Sequence, residues 1–296
     1  MLFRSLVDGF LAVHNFGTAR QVALTIANRS AYHSDAALAD IAEAAAQSGD
    51  RALADNVIAA IGDGETKGDA LVKLAGVLAA QGDIAGANKI ADDAKSNPPP
   101  MRSPAAVQRL PRLVYATMAR AQADKGDVAG AIGTARRIDD AAERETALAQ
   151  MATHRLDAGD KAGAQLALDA LLATEPTNPT VVRNAVMDLG RAGQAQRAIA
   201  LANTLPQPAD QMQTLVRAAE ATTAYRADTV LLLDAAAQRL EAIPPNRREA
   251  ALARIAALGA RAGEAKAAAA VLRNLGDERR TDALLAVAFP EFAELP

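Results

Sequence analysis

Chemistry would first be sought at the histidines, and their placement gives it no footing. His14, His33 and His154 lie far apart along the chain, no two have the spacing of helical metal ligands, and none belongs to a recognisable zinc or triad motif. Each reads as a packed or solvated side chain. The chain has no cysteine, which removes disulfides, thiol nucleophiles and thiolate metal sites together. The segment GlyAspGlyGluThrLysGly (62–68) has the glycines of a phosphate loop, but it lacks the Gly-Lys-Ser/Thr ending and follows a helical pattern where a strand is needed. It reads as a plain turn. The pairs Asp92/Asp93 and Asp139/Asp140 fall at helix ends without a pocket for acid/base work, and read as solvated charges. The expectation is a protein that is not an enzyme and carries no metal or cofactor.

The elements that could position a binding surface are helices. Half of the 296 residues are apolar but only 3% are aromatic, with no Trp, five Phe and three Tyr. About a quarter are Ala, the strongest helix former and the side chain that lets backbones approach closely. An all-α protein follows. With 32 basic against 35 acidic residues the net charge is −3, so no sequence-wide positive field exists to hold nucleic acid. The stretch MetLeuPheArgSerLeuValAspGlyPheLeuAlaValHis begins like a signal peptide, yet Asp8 and His14 interrupt its apolar run. No later segment approaches the roughly 18 apolar residues of a membrane span. A cytoplasmic protein is expected, with the periplasm also open, its first residues part of the fold and no part inserted in a membrane.

Self-similarity organises the whole chain. Gly-Asp, or a relic of it, recurs with markers at 14, 49, 82, 126, 159, 193, 227 and 263, at intervals of 35, 33, 44, 33, 34, 34 and 36. Eleven and eight residues before each marker stand apolar pairs such as Leu38/Ile41, Leu71/Leu74, Tyr115/Met118, Leu148/Met151 and Leu252/Ile255, whose spacing of three puts both on one helix face. Small residues follow at Ala42, Ala75, Ala119, Ala152 and Ala256. Five residues after the marker is Ala in seven of eight copies, at 19, 54, 87, 131, 164, 198 and 268, with Leu232 the exception. The Gly can end a first helix in the left-handed conformation, and the Asp can cap a second.

In this period, the apolar pair, the Gly-Asp turn, the small residues and the closing phrase ThrGluProThrAsnPro (174–179), the chain resembles the tetratricopeptide repeat family. It departs from the family in carrying Ala or Leu where bulky aromatics are usual and in losing most closing prolines. The resemblance implies a right-handed superhelical solenoid of about eight helix-turn-helix repeats. Its parts would be N-terminal repeats over 1–94, a Pro-rich basic insertion at 95–112, C-terminal repeats over 113–278, and a capping helix and tail at 279–296. It also implies a concave groove built from first helices, lined in the C-terminal half by Arg120, Arg183, Met187, Arg191, Arg217 and Tyr225. Arg183 and Arg217, 34 residues apart, are expected at equivalent places in neighbouring pairs. The Asn and Lys clamp that some family members use for a C-terminal carboxylate is absent.

The insertion carries four basic and no acidic residues. It is either an ordinary loop or one presented to a partner, with a helix start at Ser103-Pro104 and Pro111 expected to kink or interrupt that helix. As a proline-rich stretch it is expected to be the most mobile internal segment and the first cut by trypsin, after Arg102 or Arg109. Phe289, Phe292 and Leu295 either fold back on the last helix or await a partner. Two functions stand open. One is a non-catalytic adaptor or scaffold for a protein or peptide partner whose acidic segment meets the groove arginines. The other is a structural subunit packed permanently within a larger complex. Exposed apolar residues on first helices favour the former, and on second helices the latter. The partner and the oligomeric state are not legible.

Overall fold

The computed structural model describes residues 2–27, 30–222 and 225–263, and among these every regular element is helical and no strand occurs. The expected capping helix and tail, 279–296, lie outside the described residues, as does Ala268. The chain divides into two compact units, Met1–Ala147 and Leu148–Pro296, with the division inside α9 (Ala141–Asp157). The first unit holds α1 (Leu2–Ala12), α2 (Phe16–Ala27), α3 (Ala31–Gln47), α4 (Arg51–Ala59), α5 (Gly64–Gln81), α6 (Ile84–Ser96), α7 (Pro104–Asp124) and α8 (Val128–Ala135). The second holds α10 (Lys161–Leu172), α11 (Pro179–Arg191), α12 (Ala195–Ala202), α13 (Pro208–Ala221), α14 (Arg226–Ala237), a 3-10 turn at Leu240–Ala242, and α15 (Pro245–Arg261). Helices pack as consecutive pairs. In the first unit α3 lies on α4 and α5, α5 on α6 and α7, and α7 on α8; in the second α11 lies on α12 and α13, and α13 on α14.

The Gly-Asp dipeptide makes each pair. Gly49, Gly82, Gly126 and Gly159 have φ between 75° and 89°, where a side chain would be strained. The glycine N–H and the following Asp N–H close back on the helix just ended, as in Gly82 to Ala79 O at 3.1 Å and Asp83 to Leu78 O at 2.9 Å. The same Asp then caps the next helix. Asp50, Asp83, Asp127 and Asp160 accept from the N–H three residues on, at 3.0, 2.8, 2.9 and 2.8 Å. His14 takes the glycine's place in the first turn with φ of 55°, and Asn15 takes the aspartate's, accepting from Thr18 N–H at 3.2 Å. Gly193 keeps the geometry at φ 73°, but Gln194 after it makes no capping bond.

One marker is placed differently. Ala227 lies in the first turn of α14, whose N-cap is Tyr225, so the turn comes earlier than the Arg-Ala-Asp phrase suggests. Aspartate is favourable both as a cap and in the first turn, where the helix dipole attracts it, so Asp228 looks like a cap in the sequence without being one.

The small residues of the repeat are the core. Ala19, Ala54, Ala87, Ala131, Ala164, Ala198 and Leu232 are fully buried, as are Ala42, Ala75, Ala119 and Ala152 on first helices with Leu38, Ile41, Tyr115, Met118 and Leu148. Helices this poor in bulk bury their faces only by close approach.

The 95–112 segment splits in two. Residues 97–103 connect α6 to α7, and from Pro104 onward the chain is helical, with Ser103 accepting from Ala106 N–H at 3.1 Å. The helix runs on through Pro111, so of the kink or interruption expected there the interruption does not occur. An interior proline costs a helix about 3 kcal/mol. Here its ring is buried beside Leu110, which offsets part of that cost.

Candidate functional site

The histidines have local roles. His14 forms a turn, His33 bonds Ser30 Oγ through Nδ1 at 2.6 Å, and His154 is exposed in the last turn of α9. Among the described residues no group of three or more His, Cys, Asp or Glu could hold a metal. The N–H groups of Gly62 and Asp63, which a phosphate loop would aim at its ligand, donate instead to the buried Asp35 carboxylate at 3.1 and 2.8 Å. Asp63 then caps α5. Among the described residues no helix is long and apolar enough to cross a membrane.

The expected binding residues sit on first helices or at their turns. In the first unit Arg120 is exposed near the end of α7, with Asp124 Oδ2 3.9 Å from its Nε. In the second unit Arg183 is half-exposed on α11, 3.3 Å from Thr180 Oγ1 and 3.9 Å from Asp210. Met187 is half-buried one turn on. Arg191 is held by Asp157 at 2.5 Å and by Asp188 at 3.3 Å. Arg217 is exposed on α13 and forms no ion pair among the described residues. Tyr225 lies at the start of α14, its Oη taking a hydrogen bond from Lys161 Nζ at 2.7 Å.

Arg183 and Arg217 do not occupy equivalent places. The buried set Val182, Ala185, Val186 and Leu189 of α11 recurs on α13 as Leu215, Ala218, Ala219 and Thr222, an offset of 33. Arg217 therefore matches exposed Asn184, and Arg183 matches buried Val216. The one-residue slip turns the two side chains about 100° apart around their helices.

Sequence reasoning set Asp124 and Asp157 among these arginines but passed over Asp188. Asp188 is buried; burial pushes its carboxyl above the usual carboxylate range, against the pull of a 2.6 Å bond from Thr153 and the Arg191 charge. The Arg191 guanidinium is held further toward its charged form, first by the Asp157 bond. The signal was present as opposite charges one period apart: Asp157 with Arg191, and Glu220 with Arg254, both paired across neighbouring first helices.

No family model matches the chain, and no curated protein does. Among solved structures it matches the crystal structure of Ton1535 from Thermococcus onnurineus NA1 at 14% identity and a TM-score of 0.32, over 97% of this chain and 90% of that one. It also matches a circular tandem repeat protein with novel repeat topology and enhanced subunit contact surfaces at 15% identity and a TM-score of 0.21, over 99% of this chain and 65% of that one. At these scores neither likeness bears on the site. What the described residues define is an all-helical, repeat-like protein.

Proposed function

We propose that the chain is a tetratricopeptide-type helical repeat protein, a superhelix of about eight helix pairs, that acts without catalysis as a cytoplasmic adaptor or scaffold. Its ligand is a protein or peptide segment with acidic side chains, met by the first helices of the second unit. The reading rests on Arg217: an exposed guanidinium on a first helix, with no acid partner among the described residues, is a fork available to a carboxylate. Arg183 is available in part, since its Asp210 contact is long. Arg191 is engaged by two acids and serves as support. A charged hydrogen bond is worth roughly 1.5–3 kcal/mol where water is excluded and less where it is not.

The test is affinity purification with crosslinking from the native host, comparing wild type with the pair Arg183→Glu and Arg217→Glu. The pair should leave helical content unchanged and lower partner capture at least tenfold, while Lys125→Glu with Arg136→Glu should not. Capture that survives the reversal sinks the groove reading.

A second reading, the permanently packed subunit, has an observation of its own. Leu166 on α10 and Leu231 on α14 are 50% and 41% exposed, each six residues after its N-cap, and exposed Ala200 holds the same place on α12. Crosslinks gathering at these second helices would favour it.

A further inference from the structure

The first helix of each pair turns one side to the pair before it. Ser34 Oγ on α3 donates to Ala23 O on α2 at 3.0 Å, Gln81 Nε2 at the end of α5 donates to Ala46 O on α3 at 2.7 Å, and the Thr117 methyl of α7 lies over Gly76 of α5. Counted back from the turn glycine, these places are fifteen, one and nine residues away. Charge marks the same side: nine residues before Gly49 and Gly82, Asp40 pairs with Arg4 at 3.6 Å and Lys73 with Glu43 at 2.7 Å, each on the preceding first helix. Eight residues before the turn, two helical turns from both the Ser34 and the Gln81 places, an apolar residue faces the same way. Ile41, Leu74, Met118, Met151 and Ile255 hold that place and are at most 5% exposed.

In the first pair His14 and Asn15 take the places of the glycine and aspartate, so the same count applies to α1. It puts Leu6, Val13 and Ser5 on that side, and here Leu6 is 44% and Val13 69% exposed. Between them lies Gly9, where nothing packs within 4 Å of the point at which a side chain would begin. Spacings of three and four make Leu6, Gly9 and Val13 one stripe, apolar and notched at its middle. The charges of α1, Arg4 and Asp8, line the flank that faces Asp40 on α3. A terminal pair of a stacked array stays single when its outer face is polar, and this face is not. Helices cover the equivalent residues elsewhere in the chain, so a helix is what fits here. A further pair stacked in the manner of the next two would meet a charge nine residues before the turn, as at Asp40 and Lys73, but α1 has Ser5 there. A two-fold axis instead brings the strip against itself, so that any charge near the axis would meet its own sign. An uncharged strip suits that contact. With the axis beside Gly9 the two α1 helices run antiparallel, Leu6 of each copy meets Val13 of the other, and the absent side chain lets the backbones close up.

We propose that the first pair is a dimerisation surface, on which the Leu6, Gly9 and Val13 stripe is covered by the same stripe of a second copy of this chain. The surface belongs to the first unit and does not depend on the arginine face of the second. Sedimentation velocity of the full chain across a hundredfold range of concentration should show monomer passing to dimer and no further. Val13→Lys introduces the residue type that Lys125 already supplies at the same place in the fourth pair, so it should keep the melting curve while remaining monomeric throughout. Gly9→Leu adds apolar surface but fills the notch, and should weaken dimerisation at least tenfold. The chain has no cysteine, so single substitutions report contacts directly: Gly9→Cys should give a disulfide-linked dimer under mild oxidation, and Leu231→Cys, exposed on α14, should not. The proposal is overturned if the wild type stays monomeric, if Val13→Lys dimerises as the wild type does, or if Gly9→Leu strengthens association. Growth beyond the dimer overturns it as well, because stacking head to tail does not close. A linked dimer from Leu231→Cys and none from Gly9→Cys moves the contact to the second helices and overturns it too.

Discussion

Replacing Gln194 by Asp should stabilise the protein, because it supplies the one element missing from an otherwise repeated turn. At Asp50, Asp83, Asp127 and Asp160 the carboxylate caps the second helix at 2.8–3.0 Å, whereas Gln194 leaves α12 uncapped. A capping bond is worth about 1 kcal/mol. A negative charge at the helix N-terminus adds about 0.5 kcal/mol. Against this stand the Gln194 contacts to Gln165 and Arg197, worth about 1 kcal/mol together in part-exposed positions. The backbone must also move, since φ is −123° at Gln194 and −82° at Asp160. The net gain is about 0.5 kcal/mol, or some 1–2 °C in Tm for a unit of this size. Thermal unfolding followed by circular dichroism at 222 nm measures it, with Asp160→Gln as the reciprocal loss. If Asp160→Gln lowers Tm while Gln194→Asp does not raise it, the turn at 193–194 cannot adopt the repeated geometry. If neither moves Tm, the capping aspartates do not hold the pairs together and the account of the repeat fails.

Two other outcomes rest on the same geometry. Asp188, its carboxyl raised above 3.8 by burial, is ionised less readily in the folded state, so stability should fall as pH rises through its folded pKa. Asp63 and Asp139, lowered by the Thr66 backbone bond and by Arg112 respectively, contribute stability above 3.8 that is lost as pH falls through their folded values. Asp188→Asn should therefore flatten the change in urea midpoint between pH 7 and 4 without lowering it at pH 7; a lower midpoint at pH 7 would contradict this. Limited trypsin digestion should cut first after Arg102, which is exposed in the 97–103 connection, and later after Arg109, which lies in α7 and pairs with Glu143 at 3.3 Å. Earlier cutting at Arg109 would mean that the first turns of α7 open readily.

What the sequence disclosed best was whatever depends on one residue and its immediate neighbours. A glycine forced to positive φ and an aspartate three residues before an N–H leave a local mark, so the turns at 49, 82, 126 and 159 were legible, and even His14 was placed by its period. The turn near 225 was misread because its Asp lies in the first turn of the helix, where the field of the helix favours it as well. The site was less legible because side-chain availability is a property of pairs. Arg191 and Arg217 look alike in sequence, and only the positions of Asp157 and Asp188 make one engaged and the other open. Equivalence of Arg183 and Arg217 failed for a related reason: a 34-residue marker spacing is an average over turns that lengthen or shorten, while the packed faces of α11 and α13 keep their own register.

Where a glycine joins the two helices of a pair, at 49, 82, 126, 159 and 193, the turn has no spare length, since that glycine is followed at once by the residue capping the next helix. One residue added there would rotate the second helix by about 100° and carry its alanine stripe out of the core. Between pairs the constraint is relaxed: four residues separate α4 from α5, seven separate α6 from α7, and six separate α10 from α11. Insertions and deletions are thus tolerated by polarity. They can collect at the junctions between pairs and are excluded from the glycine turns within them; of the extra length of the 44-residue interval, part lies in the seven-residue junction and the rest lengthens α6 and α7. A grafted loop, an epitope tag or a cleavage site will respect the fold if it comes after a second helix, and will break it if it comes after a first.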